Sequence, residues 1–153
     1  MSERSRKIME SDYLQLLKQI KNRIGEGRTR AALSANTEGI LMYWDIGTDI
    51  LNRQHIEGWG AKVIDRLSRD LRHDYPDMKG FSARNLKYMR MFAEAYPDRT
   101  IVQQLVAQLP WGHILQILQK VKDSSAREWY IRQTITYGWS RSILSLHIQQ
   151  NDY

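Results

Sequence analysis

Basic and polar side chains between residues 62 and 88 have the composition of a nucleic-acid contact surface. Lysine and arginine bind phosphate oxygens, and arginine, asparagine and lysine also donate hydrogen bonds to base edges. The candidate phosphate contacts are Lys62, Arg66, Arg69 and Lys79. The candidate base contacts are Arg84, Asn85, Lys87 and Tyr88. Two alternatives to this interpretation stay open. The charged side chains could form an ordinary solvated face that binds nothing, and Asn85 could make a hydrogen bond within the protein instead of a base contact.

The segment Pro76-Asp77-Met78-Lys79 ends in Asp-x-Lys, as does the metal-binding motif of restriction-like nucleases. That chemistry needs a second carboxylate upstream and adjacent strands, so that two carboxylates hold Mg²⁺ while the lysine polarises water. Here the segment lies between two helical patterns, where Pro76 fixes φ and Gly80 can adopt a positive φ. We therefore interpret it as a turn.

No other group of residues has the spacing of a catalytic or metal site. The four histidines are scattered without an HExxH or His-x-His pair, the chain has no cysteine, and no glycine-rich phosphate loop occurs. The sequence therefore predicts a protein that is not an enzyme and has no metal, cofactor or small-molecule substrate. The histidines are His55, His73, His113 and His147.

Two amphipathic helices, 62–74 and 83–96, must position the candidate side chains. Apolar residues recur at helical spacing in both, and Ser82 is a suitable N-cap for the second helix. The predicted buried positions are Val63, Ile64, Leu67 and Leu71, then Leu86, Met89, Phe92, Ala93 and Tyr96. Arg84, Lys87 and Tyr88 would then face outward, as the second helix of a helix-turn-helix-like pair requires.

The rest of the chain has helical periodicity and no alternating strand pattern. We expect an all-α fold of seven or eight helices: a flexible tail over 1–10, then one compact domain over 11–153 that contains the helix-turn-helix-like pair. The other predicted helices are 11–24, ended by Gly25-Glu26-Gly27, a long helix over 28–52 before a loop at 54–60, a short helix capped by Thr100, and helices beginning near Pro110, Asp123 and Ser140. Trp44, Trp111, Trp129 and Trp139 are expected in the core, and Trp59 at the surface.

Composition and charge agree with a globular protein that binds a polyanion. The hydrophobic fraction is 42% and the charged fraction 26%, and no apolar run is long enough to span a membrane. The absence of cysteine suits a cytoplasmic protein. Net charge is +4 over 1–30, −3 over 31–61, +4 over 62–90 and +1 over 91–153. Because the positive charge is clustered, nucleic acid is the favoured partner.

Several motifs, in order over about residues 35–150, resemble the N-terminal domain of the YhcG family. They are Gly58-Trp59-Gly60-Ala61-Lys62-Val63-Ile64-Asp65-Arg66-Leu67-Ser68, Met78-Lys79-Gly80-Phe81-Ser82-Ala83-Arg84-Asn85-Leu86-Lys87-Tyr88-Met89-Arg90, Leu109-Pro110-Trp111-Gly112-His113, Arg127-Glu128-Trp129-Tyr130 and Gly138-Trp139-Ser140-Arg141. The resemblance implies a helical domain of winged- or helix-turn-helix-like character that binds DNA and precedes a C-terminal PDDEXK nuclease domain. Because this sequence stops at Tyr153, we expect it to lack that nuclease domain and not to cut DNA.

Two functions follow from these observations. The first is a DNA-binding module, with double-stranded DNA as partner, that positions a nuclease domain. The second is an oligomerisation or adaptor module, in which the helix over 28–52 and the last helix offer apolar surface to a second copy or another subunit. The two are compatible, because dimeric DNA-binding proteins place paired helices on successive half-sites.

Overall fold

The computed structural model describes residues 2–31, 35–57 and 60–153, and all regular structure within these ranges is helical. Eight α-helices and one short 3-10 helix occur there, without a strand. The helices are α1 (Glu3–Ala31), α2 (Ala35–Glu57), α3 (Ala61–Asp74), α4 (Ala83–Ala95), α5 (Arg99–Gln104), the 3-10 helix (Val106–Gln108), α6 (Trp111–Lys120), α7 (Ser124–Tyr137) and α8 (Arg141–Gln149). The predicted all-α class is confirmed.

The chain divides into two compact units. The N-terminal unit consists of Met1–Thr29 and Met42–Glu94, and the C-terminal unit consists of Arg30–Leu41 and Ala95–Tyr153. Helices α3 and α4, which carry the candidate contact residues, therefore belong to the N-terminal unit together with most of α1 and α2. One domain over 11–153 stays a prediction.

Helix α1 is longer than the sequence pattern predicts. It begins at Glu3 rather than near Ser11 and continues past Gly25 and Gly27, so both predicted boundaries are wrong. A glycine in a helix costs roughly 1 kcal/mol relative to alanine. Gly27, however, is buried against Met42, whose Sδ lies 2.7 Å from the position that a Cβ would take. This close packing offsets the low helix propensity. The flexibility expected of residues 1–10 stays a prediction, although 3–10 form the first turns of α1.

The buried face of α1 includes a tyrosine that the aliphatic pattern does not indicate. Its buried residues are Tyr13, Leu16, Ile20 and Ile24. Leu14, although apolar and next to Tyr13, is 50% exposed. Tyr13 can be buried because its hydroxyl donates a hydrogen bond to Oδ2 of Asp70 at 2.6 Å, and because the Arg66 guanidinium lies 4.0 Å from the ring centroid.

The boundaries of the helix predicted over 28–52 differ in the structure. Residues 28–31 belong to α1, and α2 continues through the first four residues of the loop predicted over 54–60. It ends at Glu57, and the predicted helical residues 32–34 lie outside the described part of the chain. Gly47 lets its backbone approach α4, since a Cβ there would overlap the carbonyl group of Met89. Asp49 is 6% exposed and accepts hydrogen bonds from Arg23 and Gln19 of α1.

The helix ends of the C-terminal unit are set by capping side chains. Asp123 accepts from the Ala126 backbone N–H at 2.8 Å, and Ser140 accepts from Ile143 at 3.2 Å, as their positions predict. Gly138 ends α7 in the left-handed conformation with φ 62°, where glycine carries no Cβ penalty. The cap of α5 is Asp98 rather than the predicted Thr100, whose backbone N–H donates to Asp98 at 2.9 Å.

The tryptophans are less buried than expected. Trp44 is 8% exposed and belongs to the core, whereas Trp111, Trp129 and Trp139 are only partly buried, so the prediction is wrong for these three. A large ring on an apolar helix face can lie at the edge of the core, where one of its sides stays open to solvent. The core of the C-terminal unit is formed mainly by Val102, Val106, Ile114, Ile117, Leu118, Tyr130, Ile131 and Leu144. Trp59 lies outside the described residues.

Candidate nucleic-acid interface

The connection between α3 and α4 is fixed by hydrogen bonds from both helices. Ser68 of α3 donates to the carbonyl oxygen of Phe81 at 2.6 Å, and Nδ2 of Asn85 in α4 donates to the carbonyl oxygen of Gly80 at 2.7 Å. Gly80 has φ 104°, and a Cβ there would meet the Tyr43 ring, whose Cζ is 3.3 Å away. A non-glycine residue would therefore be strained at this point. Phe81 is 1% exposed and anchors the connection in the core.

Helix α4 separates its apolar and cationic residues as predicted. Ser82 caps it by accepting from the Asn85 backbone N–H at 3.1 Å. Leu86, Met89, Phe92 and Ala93 are buried, and the predicted fifth member, Tyr96, is half-buried beyond the helix end. Arg84 and Lys87 are exposed on the opposite face, and Tyr88, the residue after Lys87, is half-buried. No ion pair involves Arg84 or Lys87 within the described residues, so both charges are available to a partner.

The cations of α3 and of the connecting segment differ in their availability. Lys62, Arg69 and Lys79 are exposed and form no ion pair within the part of the chain that the structure describes. Arg66 instead donates two hydrogen bonds of 2.7 Å to the two carboxylate oxygens of Glu10 in α1. Its charge is therefore already compensated inside the protein.

Arg66 belongs to a network of four side chains, together with Glu10, Tyr13 and Asp70. The hydrogen bond from Arg66 holds the pKa of Glu10 below its usual value, and the same bond raises the pKa of Arg66. Burial and the hydrogen bond to Asp70 raise the pKa of Tyr13. Glu10 and Tyr13 lie more than 50 positions before Arg66 in the sequence, so spacing along the helix could not indicate this pairing.

The Asp-x-Lys segment lies in a turn, as interpreted. The Met78 backbone N–H donates to the carbonyl oxygen of Tyr75 at 3.1 Å, which closes a β-turn with Pro76 and Asp77 at its two central positions. Among the residues that the structure describes, no strand adjoins this turn and no group of three or more metal-binding side chains occurs. None of the helices in the described ranges has the length and apolar character needed to cross a bilayer.

Incubation of this chain with plasmid DNA and Mg²⁺ or Mn²⁺ is expected to leave the plasmid intact, because Asp77 lies in a turn and belongs to no group of three or more metal-binding side chains within the described residues. Agarose gel electrophoresis over a time course measures the result, with the Asp77→Asn variant in parallel. Cleavage by the unaltered chain that disappears in Asp77→Asn would contradict the interpretation of residues 75–78 as a turn.

The fold and the candidate surface together define an all-α protein with exposed cations on one face of a capped helix. The family model of the DUF1016 N-terminal domain matches residues 19–153, and the chain belongs to this family. It is also 28% identical to a protein of Escherichia coli (strain K12) named "Putative nuclease YhcG", over 92% of this chain and 46% of that protein. The chain thus spans about half the length of this curated relative. No solved structure matches it significantly.

Proposed function

We propose that this chain is a DNA-binding helical module that contacts double-stranded DNA through the outward face of α4. The supporting observation is the separation on α4: Leu86 and Met89 are buried while Arg84 and Lys87 are exposed without an ion pair in the described residues. A helix held from behind by its apolar face can present cations without moving its backbone. A recognition helix in a helix-turn-helix-like pair must present its side chains to the DNA groove in this way.

The proposed contacts divide by position and availability. Lys62, Arg69 and Lys79 would bind phosphates, and Arg84, Lys87 and Tyr88 would contact phosphates or base edges. Arg66 and Asn85 support this surface in our proposal instead of contacting DNA. Arg66 is paired with Glu10, and the Asn85 side chain holds the Gly80 carbonyl and so fixes the start of α4.

The family relationship favours a role beside a nuclease. The curated relative carries the name of a nuclease and is about twice as long as the region that this chain matches. In our proposal the helical module binds DNA and positions a PDDEXK-type nuclease domain, and it does not itself cut. A homodimer would present two α4 helices to successive half-sites.

Replacing Arg84 and Lys87 together with alanine is expected to spare the fold and to weaken DNA binding. Both side chains are exposed, so their removal leaves no cavity, whereas fewer counterions are released when fewer phosphates are neutralised. The slope of log K against log[salt] should shrink by about 0.9 for each phosphate that the variant no longer neutralises on B-form DNA. Fluorescence anisotropy with a labelled duplex over a salt series measures affinity and slope.

The matched control is Lys120→Ala with Lys122→Ala, which removes the same charge from two exposed lysines of the C-terminal unit. The α4 variant should lose clearly more affinity and more salt dependence than this control. Equal losses in the two variants would show that only net charge matters and that α4 is not a recognition helix. A loss of sequence specificity at one base position would instead show that Arg84 or Lys87 contacts a base there.

An adaptor function is the second candidate, and exposed apolar residues on α8 favour it. Ile143 and Leu146 are 42% and 47% exposed and lie three positions apart on that helix. They would support association with another subunit or a second copy. Sedimentation of the anisotropy samples separates the candidates, because an adaptor would form an oligomer yet bind no duplex at low salt.

A further inference from the structure

Three aromatic rings lie nearly parallel where α7 connects to α8 in the C-terminal unit. The rings of Trp139 and His147 stack with centroids 3.9 Å apart and planes 10° apart. The Tyr137 ring is near-parallel to Trp139 at 6.1 Å and 18°. The DNA-binding surface proposed above lies on α3, α4 and the segment between them, in the N-terminal unit, and does not include these residues.

The inner part of this stack is held in place from several directions. The Trp139 carbonyl oxygen lies 2.9 Å from Nε2 of His113, and the Trp139 backbone N–H donates to the Thr134 carbonyl oxygen at 3.3 Å. Nδ1 of His147 lies 2.6 Å from a carboxylate oxygen of Asp152. These contacts fix the Trp139 backbone and the His147 ring, and the Tyr137 ring packs on the outer side of Trp139.

The outer ring is open to solvent. Tyr137 is 66% exposed, the highest value among the exposed large apolar side chains of the described residues. Because Trp139 covers only part of it, most of the Tyr137 ring surface is available. The exposed Arg141 begins α8 four positions later and has no ion pair within the described residues. Its side chain lies against Gly112, where the missing Cβ leaves it room.

We propose that Tyr137 is a stacking site for an unpaired nucleobase and that Arg141 binds a phosphate of the same strand. This proposal rests on the nucleic-acid binding proposed above and extends it to a second site. Single strands are bound by aromatic rings on which bases stack, combined with cations that contact the backbone. A base within a duplex has both faces covered by its neighbours, so the site requires an overhang, a loop or an extruded base. The near-parallel rings suit a flat ligand better than an aliphatic side chain.

The test compares a blunt duplex with the same duplex carrying a single-stranded overhang that contains 2-aminopurine, whose fluorescence is quenched on stacking. The unaltered chain should bind the overhang substrate more tightly and quench it. Tyr137→Ala should lose about 5- to 150-fold in affinity for the overhang substrate, the range for one stacked base, and should lose the quenching. Tyr137→Phe keeps the ring and should keep both. Overhangs of DNA and of RNA in separate arms identify which strand supplies the base.

The matched control is Tyr153→Ala, which removes another exposed tyrosine of the same unit, 57% exposed and in edge contact with Trp129. Affinity should be unchanged in this control, and blunt-duplex binding should be unchanged in Tyr137→Ala. Equal overhang binding by Tyr137→Ala and the unaltered chain overturns the stacking site but leaves the α4 surface standing. Two further results would overturn the stacking site. One is an equal loss of overhang affinity in Tyr137→Phe and Tyr137→Ala, and the other is a comparable loss in the control Tyr153→Ala. A chain that binds neither substrate overturns both proposals.

Discussion

Arg23→Ala is expected to lower the free energy of unfolding by about 3 kcal/mol, at the lower end of the range for breaking a buried ion pair. Asp49 is 6% exposed, and Arg23 donates hydrogen bonds to both of its carboxylate oxygens, that from Nη2 at 2.8 Å. The bond to Asp49 raises the pKa of the Arg23 guanidinium above its usual value, although partial burial opposes this. Without Arg23, Asp49 would keep, among the residues that the structure describes, only the bond from Gln19 at 3.2 Å. Urea denaturation followed by circular dichroism measures the change.

Arg132→Ala provides the matched control, because Arg132 pairs with Glu128 at 3.0 Å on an exposed helix face where both side chains are more than half exposed. Such pairs contribute roughly 0.3–0.5 kcal/mol. Replacing both members of the buried pair, with Arg23→Met and Asp49→Leu, should recover much of the loss since no unpaired charge remains. A loss in Arg23→Ala no greater than in Arg132→Ala would show that the pair is not buried in solution.

Local signals in the sequence were sufficient for the fold class and for several helix ends. Ser82, Asp123 and Ser140 cap helices as predicted, because an N-cap depends on a side chain and a backbone N–H only two or three positions away. Gly138 ends α7 for an equally local reason. By contrast, the continuation of α1 past Gly27 depends on packing against Met42, which adjacent residues do not reveal.

The candidate surface was predictable only where helix geometry decides it. The helical spacing of apolar and cationic residues on α4 predicted that Arg84 and Lys87 are exposed, and the structure agrees. The same pattern could not distinguish Arg66 from its neighbours on α3, because the partner that neutralises it, Glu10, lies on another helix. Whether a cation has an ion-pair partner depends on tertiary contacts with other helices. Whether it faces outward depends largely on its position in the helical period.

The ring stack in the C-terminal unit was missed for a related reason. Trp139 counted as an apolar residue of a helical pattern, so the sequence predicted it to be buried in the core. In the structure Trp139 lies in the connection between α7 and α8. Its ring stacks with His147 and with Tyr137, and the Tyr137 ring remains exposed to solvent. Periodicity orders residues by hydrophobicity and does not distinguish a ring inside the core from a ring at its edge.

Gly47→Ala is expected to lower the free energy of unfolding by about 3 kcal/mol or more, the upper end of the cost of overpacking a core. The Cβ of an alanine there would overlap the Met89 carbonyl group, and the Arg90 backbone nitrogen would lie only 3.1 Å away. Both neighbours are backbone atoms of α4, so rotation of a side chain cannot relieve the overlap. The two helices must move apart, and the packing of Leu86 and Met89 in the core weakens as a result. Thermal unfolding followed by circular dichroism measures the change.

Gly39→Ala tests the same substitution in the same helix without the overlap, since no atom lies within 4 Å of the position of its Cβ. This variant should be more stable than the unaltered chain by up to about 1 kcal/mol, because alanine is the better helix former. Opposite signs at the two positions would show that helix packing, and not glycine content, determines the stability of α2. Equal and small effects would mean that α2 and α4 are not in backbone contact at Gly47. The α4 surface would then lack the support behind it on which the DNA-binding proposal depends.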